Sequence, residues 1–105
     1  MSERGRSERV EIEDLEPGQT QAVELGTLQV LICNVDGELF AVENQCSHAR
    51  VSLTEAKLIG CEIECPVHGA RFDARTGDVI CRPARRGLRV FSITRVAGGV
   101  EISLD

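Results

Sequence analysis

The sequence predicts an all-β domain on three observations: the apolar stretches are short, turn signals separate them at regular spacing, and no segment keeps a helical period. Residues 1–7 are polar and are expected to fray. Stretches 10–12 and 22–25 flank a turn at Pro17-Gly18. Stretches 28–34 and 39–43 flank Asp36-Gly37, the strongest hairpin signal in the chain. Residues 58–64 read as one strand, followed by a loop with Pro66 and Gly69 and then by a strand at 71–73. Thr76-Gly77 is a turn ahead of 78–80, and 88–94 and 100–104 flank Ala97-Gly98-Gly99 as a last hairpin. Residues 52–58 support one turn of helix at most. The result is about nine or ten short strands of ordinary length, arranged as an antiparallel sandwich or small barrel. The 105 residues make a single domain, 1–105, without internal repeat, low-complexity tract or linker.

Composition narrows the function. The chain is 42% hydrophobic, ordinary for a folded protein. Its aromatic residues are limited to Phe40, Phe72 and Phe91, too few for a base-stacking surface, and its net charge of −5 disfavours nucleic acid as a partner. Residues 1–9 are polar and charged with no apolar stretch behind them, and no run approaches a membrane span. The expected location is the cytoplasm, without membrane association. Five cysteines in a reducing compartment are more often metal ligands or small core residues than disulfides, and an odd count does not suit a disulfide framework.

The two histidines each sit beside a cysteine, as Cys46-Ser47-His48 and Cys65-Pro66-Val67-His68. Both groups fall in predicted loops next to strands, so two neighbouring loops could converge four ligands on one point. Thiolate and imidazole together select zinc, copper or iron–sulfur. Two of each fit a Rieske centre, where two histidines replace two cysteines on one iron of a [2Fe–2S] cluster, and they equally fit tetrahedral zinc. Ligand identity alone does not decide between the two.

The segment Cys46-Ser-His48 … Cys65-Pro-Val-His68-Gly-Ala-Arg-Phe-Asp, followed by Thr76-Gly77 and Arg82-Pro83-Ala84, resembles the Rieske ferredoxins of bacterial aromatic-ring-hydroxylating dioxygenase systems. The resemblance covers nearly the whole chain. It implies the Rieske fold, a barrel-like base with a small cluster-binding subdomain at about residues 44–82. It implies one Rieske [2Fe–2S] cluster, with Cys46 and Cys65 on the inner iron and His48 and His68 on the outer iron. It also implies a third, proline-containing loop over the cluster, which Pro83 matches. The implied function is that of a soluble one-electron carrier, not an enzyme, with no small-molecule substrate of its own. Its partners would be a flavin-containing ferredoxin reductase and a terminal oxygenase. Respiratory Rieske proteins carry a disulfide between the ligand loops and two hydroxyl groups beside the cluster. The matching positions here are Val51, Val67, Ala70 and Phe72, which implies a low-potential ferredoxin.

Two other readings remain: a zinc-stabilised interaction module, and a Rieske-like small subunit of a nitrite reductase. Cys33, Cys61 and Cys81 lack a histidine at motif spacing and are read as structural, with Cys61 on one strand face with Ile63 and Cys65. Residues 8–64 hold twelve acids and three bases, whereas residues 71–95 hold seven arginines and two acids. Arg82, Arg85, Arg86 and Arg89 cluster around the third loop, either as a docking surface or as a solvated charged face.

Overall fold

The computed structural model describes residues 7–12, 15–46, 51–66, 69–81 and 86–104. His48, Val67, His68, Arg82, Pro83 and Arg85 lie outside these residues. The described residues form ten strands and no helix. They are β1 (Ser7–Glu11), β2 (Thr20–Leu25), β3 (Leu28–Val35), β4 (Glu38–Glu43), β5 (Lys57–Ile59), β6 (Glu62–Glu64), β7 (Arg71–Asp73), β8 (Val79–Cys81), β9 (Val90–Val96) and β10 (Gly99–Ser103). A six-stranded sheet runs β1-β10-β9-β4-β3-β2 and a four-stranded sheet runs β5-β6-β7-β8, with every pairing antiparallel. The all-β fold expected from the sequence is thus formed.

The β3–β4 hairpin organises the whole molecule. Its two-residue turn, Asp36-Gly37, has positive φ at both positions (53° and 95°), the mirror-image geometry whose twist matches that of paired strands. Asn34 is buried yet bonded, accepting the Gly37 N–H on Oδ1 at 2.7 Å and donating from Nδ2 to the Leu15 carbonyl at 2.8 Å. Side chains alternate faces along a strand. Val30, Ile32, Leu39 and Ala41 pack with Phe91, Val100 and Ile102 inside the six-stranded sheet. Leu31, Cys33, Val35 and Val42 face the other way and pack with Ile63, Phe72, Ala74 and Leu88 under the small sheet. Both faces of the hairpin are buried, so β3 carries the continuous apolar run Val30–Cys33 instead of an alternating pattern.

Several boundaries differ from the sequence reading. The single strand expected at 58–64 is two strands joined by a turn at Gly60-Cys61, with Ile59 opposite Glu62. Gly60 has φ +62°, which reverses the chain without the steric cost a side chain would bring. Cys61 therefore lies in a turn and not on a strand with Ile63. The stretch 52–58 contains a turn but no helix. Residues 17–18 do turn, but β1 pairs with β10 instead of forming a hairpin with β2, so Ser7, expected to fray, sits opposite Ser103. The strand expected from residue 88 begins at Val90, because Leu88 is buried in the other core and donates its N–H to the Gly77 carbonyl at 2.8 Å.

Candidate metal centre

Cys46 lies just beyond β4, and Cys65 directly follows β6. Each begins a loop closed in the same manner. The Cys46 N–H donates to the Val51 carbonyl and the Cys65 N–H to the Ala70 carbonyl, both at 2.7 Å and both reaching five residues ahead. The two loops thus share the same closing bond at their described ends. Both cysteines are almost completely buried, neither is in a disulfide, and both belong to the cluster with Leu53, Ile63, Ala70 and Phe72. The structure therefore brings the two predicted thiol ligands into one apolar environment. Among the described residues, no third His, Cys, Asp or Glu completes a metal site with them. The imidazole ligands expected from the sequence, His48 and His68, lie outside the described residues.

The first loop is fixed by a residue the sequence reading missed. Asn44 is buried, accepts the Leu53 N–H on Oδ1 at 2.9 Å and donates from Nδ2 to the Thr54 hydroxyl at 2.9 Å. Its backbone N–H donates to the Gln29 carbonyl, also at 2.9 Å. One side chain thus ties the far end of the loop to the start of Cys46's own segment. The readable signal was an Asn two positions before a candidate ligand, a residue type that favours such local backbone bonds. Asn44→Ala leaves the buried Leu53 N–H without its acceptor and is expected to cost about 1–3 kcal/mol. A urea titration reads this as a lower midpoint at unchanged slope. A midpoint equal to wild type would show that the loop holds itself.

The second loop is the connection of the β6–β7 hairpin. Ile63 and Phe72, directly opposite each other, point inward and are fully buried. On the outer face Glu64 sits opposite Arg71 and also opposite Lys57 of β5, while Glu62 sits opposite Asp73. The Arg71 guanidinium bridges the hairpin, with Nη2 at 3.2 Å from Glu64 and Nη1 at 3.4 Å from Glu62. These two carboxylates hold the Arg71 pKa above its ordinary value, Glu64 most strongly. Arg75 makes a two-point pair with Asp73, at 3.1 Å for both nitrogens, and this keeps the Asp73 carboxyl below its usual range.

The remaining cysteines behave as expected where they are described. Cys33 is fully buried, and desolvation pushes its thiol up to about 12, so it stays protonated and packs as a small apolar group. Cys61 packs partly buried against the same core. Of the four arginines around the third loop, Arg89 is committed within the molecule. Its backbone N–H donates to Glu43, its Nη2 donates to the Leu104 carbonyl, and its guanidinium lies 4.8 Å from the Phe91 ring centre.

The donor chemistry fits an iron–sulfur group. Two thiols held by matching backbone closures within an apolar wall suit soft thiolate ligation, and a water-poor wall suits a redox centre whose charge changes. Comparison with known proteins agrees. The Rieske [2Fe-2S] domain model matches residues 7–92. The chain is 39% identical over 92 residues to the biphenyl 2,3-dioxygenase ferredoxin component of Rhodococcus jostii strain RHA1, covering 88% of this chain and 86% of that one. The ferredoxin of Sphingomonas yanoikuyae B1 superposes with a TM-score of 0.87 at 30% identity, over 95% of this chain and 100% of its own. A chain from a complex of reduced oxygenase and oxidized ferredoxin in carbazole 1,9a-dioxygenase superposes with a TM-score of 0.85 at 31% identity, over 92% of each chain. The choice left open by ligand type, zinc or cluster, falls to the Rieske-type [2Fe–2S] cluster. The match spans most of the chain and both cysteine-bearing loops, and the protein belongs to the Rieske [2Fe–2S] domain family as a ferredoxin-type electron carrier.

Proposed function

We propose that Cys46, His48, Cys65 and His68 hold the cluster. The protein then carries single electrons from a flavin-containing ferredoxin reductase to a terminal ring-hydroxylating oxygenase in the cytoplasm. The single observation behind the ligand set is the matching closure of two segments, each opening on a buried cysteine whose N–H bonds the carbonyl five residues later. Each loop has one of the chain's two histidines two or three positions after that cysteine. The ligand-bearing unit of this single domain is taken as residues 44–82, which includes the small sheet and both loops. The oxygenase is favoured over a nitrite reductase because the Rhodococcus relative is named as a component of biphenyl 2,3-dioxygenase and the carbazole complex pairs a ferredoxin with an oxygenase.

When bound, the cluster supplies one-electron oxidation and reduction. The chain's own residues hold it and set its surroundings. The backbone closures hold Cys46 and Cys65 within the shared cluster of buried side chains. Leu53, Ala70 and Phe72, all fully buried, exclude water from that side. Ala70 is pinned beside Cys65 by the 2.7 Å bond and has no hydroxyl to offer a sulfur, and neither does Phe72. A negative charge added on reduction is therefore poorly compensated there.

The expected reduction potential is accordingly near the low end of the Rieske range, roughly −150 mV. A spectroelectrochemical titration measures it, and a value above zero would overturn the argument from Ala70 and Phe72. The carrier role is tested by anaerobic mixing. Chemically reduced protein should lose its reduced-cluster spectrum on addition of an oxidised terminal oxygenase, and regain it only when a reductase is supplied together with that reductase's own electron donor. Failure to exchange electrons with any such oxygenase would reject that partner class.

A further inference from the structure

The outer face of the small sheet carries an ordered set of charges at the foot of the second ligand loop. The row next to the loop is Lys57, Glu64 and Arg71, aligned across β5, β6 and β7 by strand register. The next row outward contains Ile59, Glu62 and Asp73. The row nearest the loop thus holds two cations and one anion, whereas the row behind it holds two anions. Lys57, Glu64, Cys65 and Gly69 line one surface groove, and a side chain at Gly69 would meet the Glu64 carboxylate at 3.9 Å. The charge set therefore lies directly against the Cys65 loop. Arg71 is its best-fixed member, bonded to both Glu62 and Glu64 across the hairpin.

We propose that Arg71 raises the reduction potential of the cluster held at Cys65, by keeping a guanidinium against Glu64 at the foot of the ligand loop. The proposal rests on Cys65 being a ligand. Adding one electron to the cluster adds one negative charge near this row. A fixed cation there stabilises the reduced form, and an unpaired carboxylate destabilises it. Arg71 is partly solvent-exposed, so the effect is moderate and screened by salt.

The test uses the holoprotein and reads potential, not turnover. Arg71→Met is expected to lower the potential, so that the reduced-to-oxidised ratio at a fixed solution potential falls by about two- to fivefold. Glu64→Gln is expected to shift it in the opposite direction. The Arg71→Met/Glu64→Gln double variant restores the wild-type charge sum and should return close to the wild-type potential. Arg71→Lys keeps the charge and should do the same. The shifts should shrink as ionic strength rises. If the two single variants move the potential in the same direction, or if Arg71→Met leaves it unchanged while the visible spectrum is intact, the inference fails. If instead a Cys65→Ser protein keeps its full cluster, the ligand assignment fails and not the charge argument.

Discussion

Cys46→Ser protein is expected to purify without visible absorption, without iron and without acid-labile sulfide, and Cys65→Ser should behave alike. A serine hydroxyl is a far poorer partner for iron than a thiolate at neutral pH, and each loop supplies its one cysteine at the same point of its closure. The effect should extend to stability, because ligand binding to the folded state is folding free energy. With Cys46 and Cys65 in the same cluster of buried side chains, loss of the group leaves a thiol and a hydroxyl among apolar neighbours. Cys33→Ala is the matching control. Cys33 shares the same core, but its thiol is protonated by burial, so this variant should keep its colour and lose only packing. Equal cluster content in Cys46→Ser and Cys33→Ala would remove Cys46 from the ligand set.

Phe72→Ala is expected to cost about 3–5 kcal/mol, the usual loss for deleting a buried ring. Among the described residues Phe72 is the largest fully buried side chain, and it stands opposite Ile63 in the small sheet. Domains of this kind have roughly 5–15 kcal/mol of stability in all, so the variant should melt on the order of 15–30 °C lower. Calorimetry of the holoprotein checks it. Phe72→Leu preserves most of the apolar volume and should lose much less. Phe72 shares its buried cluster with Cys46 and Cys65, so the alanine protein should also release its cluster faster under chelation. A melting temperature within a few degrees of wild type would show that the small sheet contributes little to the core.

The sequence was most informative where chemistry is local. Asp36-Gly37 announced its hairpin because few residue pairs tolerate two positive φ values in succession. The Cys46 and Cys65 segments announced a metal centre because the chain's two histidines stand beside them. Three features were less legible for a common reason. The division of 58–64 into two strands depends on one glycine inside an otherwise strand-like run. The pairing of β1 with β10 joins opposite ends of the chain, and no local pattern encodes such a partner. The Arg71 bridge to Glu62 and Glu64 exists only once β6 and β7 are in register, so it appears in the sequence as scattered charge. Asn44 belongs between these cases: its preference for local bonds was visible, but its partners Leu53 and Thr54 were not.

The β3–β4 hairpin, buried on both faces, bears on how cheaply the molecule can change oxidation state. One wall serves two cores, so the side that carries Cys46 and Cys65 cannot loosen without uncovering Leu31, Cys33 and Val42. The chain also leaves the large sheet after Glu43 and re-enters it at Val90, opposite Val42. The whole intervening excursion is clamped at its base. Close-packed interiors resist small displacements, so the buried neighbours of the two thiols, Leu53, Ile63, Ala70 and Phe72, are held nearly constant. Gaining or losing a charge then requires little rearrangement of the protein, which keeps the reorganisation barrier to electron transfer low.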